Sequence, residues 1–221
     1  MRSAQPPIVD RAGWQQARDD LLAAEKEYTK AGDRLAAQRR RLPMTPVGEY
    51  VFTGEDGPVT LRQLFGDASQ LVVQHFMFDP EWDAGCPSCS MFADNMPPTI
   101  HFGPYGMAFA RISRAPIGKL RAYRQRMGWP EPWVSSYHND FNADWGWTVD
   151  GGEVPGVSCY LRSDDDVYLT YTTSGRGVEP LMSFPGFLDR VVYGRQETWE
   201  DSPEGWPQQN PYQRNARRDE Y

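Results

Sequence analysis

The sequence predicts an α/β domain, a central mixed β-sheet flanked by helices, with a helical extension over residues 1–42 and an extended tail over residues 196–221. Three observations carry this expectation. Residues 71–78 (LVVQHFMF) are mostly apolar without clean alternation, the pattern of a central strand covered on both faces. Strand-like and helix-like segments then follow in the order β-α-β-α-β before a closing β-β-α, and parallel strands need crossover helices of that kind. A Cys-x-x-Cys pair opens the first of those helices.

Trp14, Ala17, Leu21, Ala24, Tyr28, Ala31 and Leu35 recur alternately three and four residues apart. The spacing predicts a helix over 14–38 with one narrow apolar seam. Gly32 costs about 1 kcal/mol relative to Ala inside a helix, so the last turns are expected to fray. The seam fits packing on the chain's own domain, and it fits pairing with a second copy. The lack of another long amphipathic helix tilts the expectation to a homodimer. Arg39, Arg40 and Arg41 suit the negative end of the helix dipole, and Pro43 and Pro46 end the segment.

Residues 50–52 and 59–61 read as a hairpin around a turn at 54–57, and 62–65 as a helical turn. The loop 79–85 follows the central strand, and a helix begins near Cys86. Met107–Ser113 reads as a strand. Residues 116–127 read as a helix with Pro116 in its first turn and Gly128 as its stop. A third strand is expected over 133–137, a hairpin over 157–162 and 167–173, and a last helical stretch over 179–190, interrupted at Pro185-Gly186. The central domain thus runs from 43 to 195. The tail is rich in Pro, Gln, Asn and Arg.

Composition narrows the function. Of 221 residues, 39% are apolar and 24% charged, close to an average soluble domain. The net charge of -7 disfavours a nucleic-acid binder, which carries a basic footprint. No apolar run approaches the roughly 18 residues of a membrane span, and the N-terminus lacks a signal-type stretch, so a reducing cytoplasm is the expected compartment. Three cysteines are too few for a disulfide scaffold. The 20 Gly and 19 Pro residues announce many turns.

The cysteine pair is Gly85-Cys86-Pro87-Ser88-Cys89. A bare Cys-x-x-Cys says little; its position after a buried-type strand and at the head of a helix says much more. A helix N-terminus stabilises a thiolate through unpaired N–H groups and the dipole. Pro87 sits where its missing N–H is not needed, and Ser88 fills the pair. Cys86 is then the exposed nucleophile. Cys89, one turn later and shielded, is the resolving thiol. A metal site would need two further ligands, and His75, His101 and His138 are scattered, so no metal and no cofactor beyond a Cys86–Cys89 disulfide is expected. Cys159 falls inside a strand and reads as a core residue. Val154-Pro155-Gly156 directly precedes the hairpin, and a cis Val154–Pro155 bond is expected there. Trp82, Trp145 and Trp147 flank the same segments, either as a substrate surface or as core.

At this point the residues carry a resemblance. The element order, the Cys-x-x-Cys and the proline before the hairpin resemble the thioredoxin superfamily. The stretches HFMFDPEWDAGCPSCSMFADN, SRAPIGKLRAYRQRMGW, PWVSSYHNDFN, GEVPGVS and the terminal RRDEY resemble more closely the bacterial domain-of-unknown-function 899 family, which is thioredoxin-like and labelled a dithiol-disulfide isomerase. The resemblance covers most of the chain. It implies that Pro155 packs against the cysteines and that Val154 offers backbone hydrogen bonds to substrate. Aligned through the apolar strand, His75 falls near the buried acid of thioredoxin. It would either take the proton of Cys89 or serve as a hydrogen-bonded core histidine.

Two departures bear on the reaction. Thioredoxin has Trp before its first cysteine, where this chain has Gly85. FTGEDGPVTLRQLF and ARISRAP are reminiscent of peroxiredoxins, yet Asp83 stands three residues before Cys86, where a peroxiredoxin has Thr or Ser, and an anion there disfavours the attacking thiolate. The expectation is therefore a thiol–disulfide oxidoreductase acting on a protein or small-molecule disulfide. A peroxiredoxin-like thiol peroxidase and a non-enzymatic thioredoxin-fold binding protein are the alternatives.

Overall fold

The structure, a computed structural model, describes residues 5–221; the first four residues of the expected helical extension lie outside them. Asp10 caps the first helix, α1 (Arg11–Arg39), by accepting a hydrogen bond from the Gly13 N–H at 2.8 Å. Then come β1 (Thr45–Val47), the hairpin β2 (Val51–Gly54) and β3 (Gly57–Thr60), and a 3₁₀ turn over Arg62–Phe65. The chemistry-bearing half follows as β4 (Gln70–His75), α2 (Pro87–Asp94), β5 (Met107–Ser113), α3 (Ile117–Met127) and β6 (Trp133–Ser135). A short helix α4 (Phe141–Asp144) and a small hairpin, β7 (Thr148–Val149) and β8 (Gly152–Glu153), lead into β9 (Gly156–Ser163) and β10 (Asp166–Ser174). A 3₁₀ stretch over Gly175–Leu181 and α5 (Ser183–Leu188) close the regular structure.

Eight strands form one mixed sheet in the order β1-β10-β9-β4-β5-β6-β2-β3. β4, β5 and β6 are parallel, joined by α2 and α3, and β9 lies antiparallel to β4 on its other side. β4 is thus central, as its sequence requires: Leu71 and Val73 are fully buried in one core cluster, with Phe52, Phe65, Ile112 and Phe141. Past the end of β4, Phe76 and Phe78 enter a second cluster with Leu120, Tyr123, Trp129 and Trp133. The last residue of β4 opens the loop toward α2, so the sheet delivers the cysteine pair to the carboxyl end of its central parallel strand.

Two expectations need correction, and one of the two readings of α1 is set aside. α1 does not pack flat on the domain: none of its residues is buried, and Trp14 and Tyr28 are 57% and 79% exposed. It meets the body near its C-terminal end, where the Arg39 guanidinium lies 5.4 Å from the Tyr171 ring centre. The tail holds no helix or strand, but it folds back on the domain rather than extending. Arg126 pairs with Asp219 at 2.6 Å and Arg218 with Asp94 at 3.4 Å. The Val154–Pro155 bond is trans, since no cis peptide occurs among the described residues. The chain runs from β8 into β9 without a tight reversal. The Val154 N–H bonds the Trp147 carbonyl at 2.9 Å, so the trans form, favoured by about 0.5–1 kcal/mol, meets no opposing demand.

Candidate active site

Cys86 is the N-cap of α2, and Pro87 is its first residue. The Cys86 N–H donates to the Met77 carbonyl at 3.1 Å, which ties the helix start to the end of the central strand. Gly85 explains the absence of a bulky residue before the pair. A Cβ there would stand 2.5 Å from the Phe76 ring and 2.9 Å from that of Tyr123. Ser90, one turn on, donates to the Cys86 carbonyl at 2.8 Å and lies 2.9 Å from the Tyr123 hydroxyl.

Both cysteines are free thiols, Cys86 partly exposed and Cys89 buried. A hydrogen bond from the Cys89 thiol is the largest influence on Cys86, and with the N–H groups of Cys89 and Ser88 and the charge of Arg217 it outweighs burial and lowers the Cys86 pKa to about 6. The same hydrogen bond, burial and the charge of Cys86 push Cys89 well above the usual thiol range. The two shifts run in opposite directions, Cys86 toward the thiolate and Cys89 toward the protonated thiol that donates to it. Cys159, partly buried in β9, is raised to about 11 by burial.

Two polar systems hold the pair. Behind Cys89, the Gln74 side chain donates to the Cys89 carbonyl at 3.0 Å and accepts from Arg111 Nε at 2.9 Å. Arg111 is fully buried and pairs with Glu131 at 2.8 Å. On the other side, Arg114 pairs with Glu153 at 2.6 Å and also with Asp79. It joins the loop before Cys86 to β8, just ahead of Pro155. Burial raises the Glu153 pKa, opposed by Arg114, and the charge of Glu153 in turn raises Cys89.

The remaining expected residues fall as follows. Pro155 and Ser88 line a mostly apolar cavity of about 260 Å³ together with Cys89, His75, Met77 and Val157. Pro155 thus shares a cavity with Cys89, and its bond is trans. Val154 has its N–H committed to Trp147. His75 is 2% exposed, stacks on Trp147 at 3.8 Å between ring centres and lies 2.7 Å from Ser158 Oγ. Burial pushes its pKa well below 6.5, so it is a neutral, hydrogen-bonded core histidine. The strongest influences on Cys89 come from Cys86, burial, Met77 and Glu153 instead. Trp147 is core, 5% exposed, because His75 and the close-packed Gly156 lie against its ring. Trp145 packs on the first core cluster. Trp82, 40% exposed, stands at the cleft onto which Cys86 opens.

Sequence reasoning missed Gln74, Arg111, Glu153 and Arg217. Gln74 and Arg111 were visible as polar residues inside apolar strands, and Arg217 as part of the terminal RRDEY; nothing in the sequence pairs them with the cysteines. Among the described residues, no three of His, Cys, Asp and Glu gather as metal ligands.

A central parallel β-α-β-α-β unit, an antiparallel hairpin beside its first strand, and a Cys-x-x-Cys heading its first crossover helix define a thioredoxin-like protein. Residues 3–221 match the model of a family described as "Bacterial protein of unknown function (DUF899)", and the chain belongs to that family. A comparison with curated proteins gives no match. Among solved structures, the chain is similar to the peroxidoxin BcpB from Mycobacterium tuberculosis, at 16% identity and a TM-score of 0.49 over 64% of this chain and 94% of that one. It is also similar to a PrxQ mutant from Xylella fastidiosa, at 10% identity and a TM-score of 0.46 over 66% and 98%. A hypothetical protein from Sinorhizobium meliloti matches at 16% identity and a TM-score of 0.43 over 61% and 73%.

Proposed function

We propose that the protein is a thiol–disulfide oxidoreductase in which Cys86 attacks and Cys89 resolves. The observation that carries the reading is the placement of the two thiols: Cys86 partly exposed at the head of α2, and Cys89 buried one turn behind it and hydrogen-bonded to it. The Cys86 thiolate attacks one sulfur of a substrate disulfide, forming a mixed disulfide and expelling the other sulfur as a thiolate. Cys89 then loses its proton and attacks the Cys86 sulfur, which releases the second substrate thiolate. The substrate gains two electrons and the protein holds them no longer, having become the Cys86–Cys89 disulfide. Run backwards, the same steps oxidise a substrate dithiol. Buried Cys89 becomes a better nucleophile once Cys86 is bonded, because the neighbouring negative charge is then gone.

Incubation with glutathione or dithiothreitol buffers tests this. The wild type should interconvert reversibly between dithiol and intramolecular disulfide. Cys86→Ser should abolish exchange, and Cys89→Ser should accumulate a mixed disulfide visible by mass spectrometry. Equal loss in both without an adduct contradicts the assignment. Peroxide consumption measured in the same preparations addresses peroxidase chemistry. Asp83, which lines the same cleft as Cys86, weighs against it.

A further inference from the structure

The C-terminal segment, which the exchange chemistry above does not use, is built onto the cysteine pair. The Asn215 side chain donates to Ser88 Oγ at 3.0 Å, and Arg217 Nε donates to the Gly85 carbonyl at 2.9 Å. Two tail residues thus hold positions on either side of Cys86. The segment is fastened in turn: Arg126 grips Asp219 through two hydrogen bonds, at 2.6 and 3.0 Å. Glu220 pairs with Arg217 at 2.6 Å and fixes the direction of its guanidinium.

The setting explains why a cation is needed there. Cys86 opens onto a cleft of about 570 Å³ lined also by Glu81, Trp82, Asp83, Pro87 and Arg217. Two of those residues are acids, and either charge opposes a thiolate. The segment 79–94 contains no Lys or Arg. The nearby cations of α3 and its approach are occupied: Arg114 pairs with Asp79 and Glu153, and the Lys119 ammonium donates to the carbonyls of Pro80 and Trp82. Arg217 is the basic residue that lines the cleft.

We propose that Arg217 is a positioning residue for Cys86, a fixed positive charge that the C-terminal segment lays beside the attacking sulfur so that the anion persists in an otherwise acidic cleft. The inference deepens the dithiol reading and rests on it for its purpose. The groups facing Cys86 are Glu81 and Asp83 from the loop, Cys89 from α2, Tyr123 from α3 through its contacts with Ser90 and Arg217, and Arg217 with Glu220 from the tail. The charge of Arg217 acts in the same direction as the Cys89 hydrogen bond and the helix N–H groups, which are the larger influences.

The test measures the rate of Cys86 alkylation by iodoacetamide against pH in full-length Cys159→Ser protein, with the modified peptide read by mass spectrometry. Half of a thiol with a midpoint near pH 6 is ionised at that pH, and a rise of one unit leaves about a tenth, a loss of about fivefold in rate. Arg217→Gln should raise the midpoint and slow alkylation at pH 6 by up to about that factor. Arg217→Lys, which keeps the charge and loses the Nε contact, should restore most of it. An unmoved midpoint in Arg217→Gln, or the same rise in both variants, overturns the proposal. A low, Arg217-dependent midpoint in a protein that exchanges no disulfide rejects the dithiol reading and leaves this inference standing. Exchange with a midpoint indifferent to Arg217 does the reverse.

Discussion

At Cys86 the hydrogen bond from Cys89 and two helix N–H groups overcome partial burial, and this balance has a pH signature of definite sign. The folded pKa, about 6, lies below that of an ordinary thiol near 9. Its ionisation therefore stabilises the reduced fold fully above pH 9, and that contribution disappears as the pH falls through 6. Cys89 and His75 also change stability with pH, so the comparison that isolates Cys86 is between reduced wild type and Cys86→Ser. The wild type's advantage in urea denaturation should grow between pH 6 and pH 8. A constant difference across that window would mean that Cys86 is not ionised there. Two further residue changes separate chemistry from packing. Cys159→Ser should leave exchange rates unchanged, because burial holds that thiol protonated with a pKa of about 11. Gly85→Ala should cost about 1–3 kcal/mol in chemical denaturation, the usual range for overpacking, since the added methyl meets the Phe76 and Tyr123 rings.

At the scale of elements, the strand β4 carries both the core and the bracket that holds α2. Leu71 and Val73 pack into the sheet's core, while Gln74 reaches from the same strand to the Cys89 carbonyl and is held by Arg111 of β5. Arg111→Met removes one partner of a buried ion pair and leaves Glu131 and Gln74 without their donor. It should destabilise the fold by about 3–5 kcal/mol, measured by urea denaturation, and loosen Cys89 even where the protein still folds. Replacing Glu131 as well, by Gln, should recover part of the loss, because the orphaned carboxylate is then neutral. The strands with long apolar runs were legible in the sequence: β5 was placed at the limits it has, and β9, β10 and α3 to within a residue or two. Among the elements of two to four residues, the hairpin β2–β3, the turn over Arg62–Phe65 and β6 were marked by apolar residues and flanking turn signals, whereas β1, α4, β7 and β8 were not legible, and β1 even contains Pro46. The cysteine pair at the head of a helix was legible for the same local reasons. Its bracket was not, since Gln74 and Arg111 are 37 residues apart and meet through the parallel register of β4 and β5. Pro155 shares a cavity with Cys89 and Ser88, but its bond is trans where a cis bond was expected; the isomer depends on the route from β8 rather than on the proline itself.

The whole molecule leaves one long surface uncovered. α1 spans 29 residues, about 44 Å at the helical rise. Along it Trp14, Leu21, Tyr28 and Leu35 repeat every seventh residue, with Ala17, Ala24 and Ala31 between them. All four large side chains are exposed, from 46% for Leu35 to 79% for Tyr28. A helix meant to lie on a sheet presents a broad apolar stripe, whereas a seam this narrow, with one large and one small residue per heptad, matches another helix of the same kind. The alanines leave room into which a partner's Trp14, Leu21, Tyr28 and Leu35 can insert, and among the described residues the only long helix of that pattern is α1 itself. We therefore propose that a second copy of this chain covers the seam. Each large side chain contributes up to about 1.5–3 kcal/mol when fully buried, and burial of four from each chain works against an association cost of about 4–15 kcal/mol. Sedimentation of the full-length protein should give a dimer, and a Leu21→Glu/Tyr28→Glu variant should sediment as a monomer while keeping its disulfide exchange rate, since the seam lies outside the cysteine site. A monomeric wild type, or a dimer that survives both substitutions, would show that α1 is not the contact between copies.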